Sequence, residues 1–162
     1  MRVLRRFVGL PRYRKVLLLE AALWLSLAWV LVRAVPFRYW SRWLGHQAAG
    51  EADMSEASRD IRVKDICWSI STISRLMRNR YTCLMLAMTA QWMMHRRHIS
   101  CCLVLGALTC NREQRLSLKA HAWVRDATGV VLGDLGESYV PISSFMRRYP
   151  ASSSSRDNQR NN

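Results

Sequence analysis

Residues 116–134, LSLKAHAWVRDATGVVLGD, decide the fold. Leu118, Ala120, Ala122 and Val124 alternate with Lys119, His121 and Trp123, the two-residue period of a strand that buries one face. Asp126-Ala127-Thr128-Gly129 supplies a tight turn, and the residues from Val130 to Asp134 return as a second strand. Packing does not ask for His121, which stands between two alanines. With the turn centred on Ala127 and Thr128, Arg125 faces Val130, Trp123 faces Leu132 and His121 faces Asp134, whereas a turn shifted by one residue puts Gly136 opposite the histidine. Directly opposed residues on one face lie about 4.5–5.5 Å apart at Cβ, close enough for a carboxylate to accept a hydrogen bond from an imidazole. Asp126 is an odd number of residues from His121 and points to the other face.

Upstream of this hairpin the period is helical. In VKDICWSISTISRLM, Val63, Ile66, Cys67, Ile70, Ile73 and Met77 recur at steps of three and four, with the serines mostly on the other side. Thr82 is a good N-cap for the next helix, whose residues Leu84 to Met94 are apolar nearly all round and therefore central to the core. CCLVLGAL (101–108) and SYVPISSF (138–145) read as further short β elements. Helices followed by antiparallel strands predict an α+β domain. The small, polar stretch from Gln47 to about Asp60 reads as a linker, and the polar tail from Pro150 to Asn162 as disordered. The organisation expected is an N-terminal helical segment (1–50), a main domain (51–149) and a tail (150–162), about one domain in all for 162 residues.

The most apolar stretch, KVLLLEAALWLSLAWVLVRAVPF, carries Glu20 as its only charge between Lys15 and Arg33. Val16 to Val32 lies near the lower limit for spanning a bilayer, which takes roughly 17–25 residues. Trp24 and Trp29 sit near its middle rather than at its ends, which suits a buried or interfacial helix better than a spanning one. After the adjacent arginines the apolar run begins late, carries a glutamate and is not followed by a small-residue cleavage site, so the segment is expected to stay in the mature protein. Lys and Arg number 25 against 11 acids, a formal net charge of +14 that favours an anionic partner without naming it. The basic residues are scattered, with no recognition helix or aromatic-basic sheet motif, which argues against nucleic acid.

Five cysteines, Cys67, Cys83, Cys101, Cys102 and Cys110, are odd in number and irregular in spacing, so free thiols in a reducing, cytoplasmic compartment are expected. In HRRHISCC, only one of Cys101 and Cys102 could join His95 and His98 on a metal, because neighbours in a strand face opposite ways. The two histidines suit the positive charge favoured at a helix end, and no metal is expected. Cys83 differs from the other thiols. It follows the N-cap Thr82, where unpaired amides and the helix dipole favour thiolate over thiol, with Arg78 and Arg80 close by. A thiolate at a helix start, an imidazole on a strand and an acid on the next strand are the parts of a Cys-His-Asp triad.

The ordered series RYTCLMLAMTAQWMMHRRH, CLVLGAL, AHAWV, VVLGD and YVPISSF resembles the transglutaminase-like cysteine peptidase of lasso-peptide biosynthesis, the stand-alone leader peptidase. LPRYRKVLLLEAALWLSLAWVLVRAVPF is similar to that family's helical N-terminal region, so the resemblance extends to about Phe145. It implies a transglutaminase-like, papain-like core with helices on a small antiparallel sheet. Carried over, it makes Cys83 the nucleophile, His121 the base and acid and Asp134 the orienting carboxylate; the interval from His121 to Asp134 is a residue longer than is common there. The implied reaction is removal of the leader from a ribosomal precursor peptide, with no cofactor. The implied partners are that precursor, a separate winged-helix protein that recognises its leader, and a cyclase that closes the macrolactam. A separate recognition protein is expected because only about fifty residues precede the catalytic part. No phosphate-binding loop occurs, so ATP belongs to the cyclase. Trp24, Trp29, Trp40 and Trp43 with Arg33, Arg38 and Arg42 offer a surface for the recognition protein or a membrane. A basic nucleic-acid-binding protein and a small membrane-associated protein without catalysis are the competing classes.

Overall fold

Apolar side chains on every helix turn need a common surface to cover, and here that surface is one face of a sheet. The computed structural model describes residues 9–50, 60–112 and 115–149, with backbone alone at 110–112 and 115–117. The Cys110 thiol and the predicted tail lie outside the described side chains.

The apolar stretch forms helix α1, Arg12–Ala34, opened by Pro11 and ended where Val35 turns extended ahead of Pro36. One face of α1 is buried through Leu17, Leu18, Ala21, Leu25, Ala28 and Leu31. A one-turn helix α2 (Phe37–Trp40) and a 3-10 turn (Ser41–Leu44) follow. Gly45, at φ 110°, then passes so near Met146 that a Cβ there would lie 2.5 Å from the Met146 carbonyl oxygen. The expected linker starts differently from its composition: His46–Ala49 is a strand, β1, paired antiparallel with β5 (Val140–Arg147) through Gln47 and Phe145. Gln and Ala carry little β preference of their own, but here they cover an edge of β5 that would otherwise stay open.

Helix α3, Arg62–Leu76, buries Val63, Ile66, Ile70 and Ile73 as its spacing predicts. The serines do not keep to the solvent side. Ser69 and Ser74 are buried, made tolerable by Ser69 Oγ donating to the Ile66 carbonyl at 2.7 Å and Ser74 Oγ to Asn79 Oδ1 at 3.3 Å. Met77, expected on the apolar face, is exposed because it lies past the helix end. Helix α4, Cys83–His95, begins after Thr82, whose Oγ1 accepts from the Met85 amide at 3.4 Å. Met85, Met88, Trp92, Met93 and Met94 are all buried, so α4 is the centre of the core as its sequence requires. His95 lies in its last turn, and the rings of His95 and His98 both meet Tyr149.

Strands β2 (Cys101–Arg112), β3 (Arg115–Asp126) and β4 (Gly129–Leu132) complete an antiparallel sheet in the order β1-β5-β2-β3-β4. Among the described residues, four helices pack on these five strands. Cys101, Leu103, Ala122, Val124 and Phe145 face the helices and join their core. Cys102, Val104 and Trp123 form a second, smaller cluster on the opposite face, with Tyr139 and Met146 against it. Among the described residues, three ion pairs tie α1 down: Arg14 to Asp65 on α3 at 3.3 Å, and Arg97 at 3.1 Å and Arg96 at 3.6 Å, just past α4, both to Glu20.

Candidate active site

Strand alternation sends Ala122 and Val124 toward the helices, and so sends His121 and Trp123 the other way. His121 is half-buried there in a cluster with two aromatic rings, Trp123 with centroids 6.0 Å apart and Tyr139 at 5.0 Å. Its Nε2 lies 2.7 Å from the Gly133 carbonyl oxygen. A carbonyl can only accept, so the neutral ring carries its proton on Nε2 and keeps a lone pair on Nδ1. Such a ring is oriented and can take up a proton.

The predicted pairing holds near the turn and then slips. Asp126 pairs with Gly129 and Arg125 with Val130, but a bulge between Val124 and Arg125 puts Val124, not Trp123, opposite Leu132. β4 also ends at Leu132, so Asp134 lies beyond the ladder rather than opposite His121. Gly133 is the cause. At φ 89° it crosses β3 so closely that a Cβ would meet the Ala122 carbonyl oxygen at 3.0 Å and Trp123 Cα at 3.1 Å. Its carbonyl therefore takes the place at the imidazole that the regular register reserves for the acid.

Asp134 follows immediately and accepts from the Gly136 amide at 2.9 Å. His121 and Asp134 line one cavity of about 310 Å³ together with Trp123, Arg125, Glu137 and Tyr139. Asp126 points away from it, as expected, and is buried on the helical side, where its Oδ1 accepts from the Thr128 amide at 2.7 Å.

Cys83 takes its predicted place as the first residue of α4, half-buried against the helical core. Helix geometry leaves the Cys83 and Leu84 amides without intrahelical acceptors. The structure thus brings His121 and Asp134 to one cavity and places Cys83 outside its lining. Burial and the Asp126 charge push Cys67 up to about 12, and burial with the neighbouring Cys102 does the same to Cys101.

A family model described as the transglutaminase-like superfamily matches residues 31–144, well over half of the chain. The chain belongs to the transglutaminase-like superfamily. No curated protein and no solved structure matches it. The superfamily match runs from the last turns of α1 into β5 and so takes in the α4 start, the His121 strand and the Gly133 crossing. A cysteine peptidase is consistent with membership of this transglutaminase-like superfamily.

Three parts of the site went unread in the sequence. Gly133 reads as an ordinary residue of the returning strand, although two glycines so close together, Gly133 and Gly136, mark a break in the ladder. Gly106, in the middle of β2, pairs with His121 and lets Trp123 lie flat: a Cβ there would stand 2.6 Å from Trp123 Cη2. Its place inside an apolar strand was the available signal. Tyr139, a wall of the His121 slot, had none. Among the described residues, no group of three His, Cys, Asp or Glu side chains is arranged to hold a metal.

Proposed function

We propose that this transglutaminase-like chain is a cysteine peptidase that removes the leader from a lasso-peptide precursor. The observation that carries the reading is the His121 ring, held by the Gly133 carbonyl with Nδ1 left as a base. In the proposed reaction Nδ1 takes the Cys83 proton, and Sγ adds to the carbonyl at the leader–core junction. The oxyanion forms at the open amides of the α4 start. The C–N bond breaks as the imidazolium returns its proton to the departing amine, the new N-terminus of the core peptide. Water, deprotonated by the same nitrogen, then cleaves the thioester and frees Cys83 and the leader carboxylate. Asp134 acts through the Gly133 segment rather than by direct contact with the ring. In this structure Cys83 lies on the helical side of the sheet and His121 on the opposite side, so the mechanism requires sulfur and imidazole to be brought to one side of the sheet when precursor is bound, delivered by the separate recognition protein and passed on to the cyclase.

A non-catalytic peptide-binding role is the second reading, favoured by the position of Cys83 outside the cavity lining. Mass analysis of precursor mixed with this chain and the recognition protein separates the two. Peptidase action predicts leader release that is lost, by at least about a thousandfold, in both Cys83→Ala and His121→Ala, with melting unchanged. Release that survives Cys83→Ala overturns the triad, and precursor binding without release by the native chain selects the second reading. Iodoacetamide labelling of Cys83 across pH, in native and His121→Ala chains with precursor present, reports whether sulfur and imidazole meet.

A further inference from the structure

Helix α1 has two faces, and only one is used by the fold. On the other, Val16, Leu19, Leu23, Leu27 and Val30 are 39–66% exposed. At 100° per residue these five fall in one narrow stripe, which at 1.5 Å rise runs about 21 Å along the helix. No charge interrupts it. The one acid of α1, Glu20, is turned inward and held by Arg97 at 3.1 Å and Arg96 at 3.6 Å. Charge and aromatic rings gather instead at the two ends. Arg12 and the exposed Tyr13 stand at the start, while Arg33 stacks on the exposed Trp29 at 5.4 Å near the finish. Arg38 over the exposed Tyr39, at 4.7 Å, and Arg42 beside the exposed Trp43 extend that end.

We infer that this face of α1 docks the protein onto an anionic phospholipid surface, lying flat in the headgroup layer. An apolar strip with basic and aromatic ends and no exposed acid has the chemistry of such a layer, where acyl chains meet phosphates. The net charge of +14 acts in the same direction over longer range. Here the folded domain, rather than the helix's own back, supplies the polar side. The helix is long and apolar enough to cross a bilayer by length and composition. Crossing would expose the six buried residues of its inner face and the Glu20–Arg97 pair to lipid, so the fold selects lying on the membrane. The inference rests on α1 and the short turns that follow it and does not depend on the peptidase reading.

The test is co-sedimentation of the full chain with phosphatidylcholine vesicles, with and without phosphatidylglycerol. Binding only to the anionic vesicles is expected, released by high salt or carbonate. A Leu19→Glu/Leu23→Glu variant should bind at least about tenfold more weakly. Both sites are exposed, and an unchanged thermal transition will show that the variant folds. Arg33→Gln/Arg38→Gln/Arg42→Gln should weaken binding and flatten its salt dependence. Equal binding by native and Leu19→Glu/Leu23→Glu chains overturns the inference. So does resistance to carbonate, which means spanning. A stripe-dependent dimer, or stripe-dependent capture of the leader-recognition protein, without vesicle binding also overturns it by assigning the face to a protein.

Discussion

The two faces of the sheet are built to different rules. Toward the helices, Leu103, Val124 and Phe145 are sealed under α1, α3 and α4, and stability comes from apolar area removed from water. Toward solvent, His121, Trp123 and Tyr139 stack over a glycine and a crossing backbone, and what is gained is the orientation of one imidazole. The covered face holds the fold, and the open face holds the proposed imidazole base. Damage to the two should therefore register in different measurements.

The widest gap is expected between thiols. Cys67 and Cys101, pushed up to about 12 by burial, should resist iodoacetamide in the native chain. Against an ordinary thiol near 8.5, unfolding should raise their labelling about a thousandfold at pH 8. Peptide mass mapping before and after denaturant checks this, and rapid native labelling of Cys101 would mean that the covered face opens easily.

Truncation should separate the faces next. Phe145→Ala, at a buried side chain under the helices, should cost about 3–5 kcal/mol in denaturant unfolding. Tyr139→Ala on the open face should cost about 1 kcal/mol yet slow the proposed leader release, since it removes a ring packed on His121. Equal stability losses would erase the distinction.

Gly106→Ala sharpens it further. The new Cβ would lie 2.6 Å from the Trp123 ring and 2.8 Å from the Val140 carbonyl oxygen, so backbone as well as ring must move. A cost of about 1–3 kcal/mol is expected, with a change in Trp fluorescence that Phe145→Ala does not share at matched stability.

The smallest effect concerns the tie between α1 and the covered side. Burial raises the Glu20 carboxyl, but the Arg97 hydrogen bond and the charges of Arg97 and Arg96 outweigh it and hold it below the ordinary carboxylate range. A depressed carboxyl contributes stability that is complete above its unfolded value, about 4.3, and lost as pH falls through the lower folded value. Glu20→Gln should cost about 1 kcal/mol at pH 7. Its melting curve should then converge on the native one as pH falls below about 4. A deficit independent of pH would show that the pair contributes shape rather than charge.

The elements themselves were legible because they rest on local periodicity. The 3.6-residue pattern from Val63 to Ile73 and the alternation from Leu118 to Val124 specify a helix and a strand wherever the chain goes. Thr82 and Cys83 were likewise placed by capping chemistry confined to one turn. What lay beyond reach depends on residues far apart in the chain. The bulge at Val124 and Arg125 moves Asp134 off the ladder, because Gly133 must cross Ala122 and Trp123. β1 is a strand only because the edge of β5 is there to receive it.

By itself, then, the sequence determined an α+β chain with a capped cysteine helix and a histidine hairpin, since propensity, period and caps act over a few residues. Tertiary structure alone decided that His121 is oriented by a carbonyl instead of a carboxylate. It also decided which side of α1 is covered and which is left apolar in the open. Both turn on close approach between distant segments, where one glycine or one ion pair settles the geometry and local pattern carries no record of it.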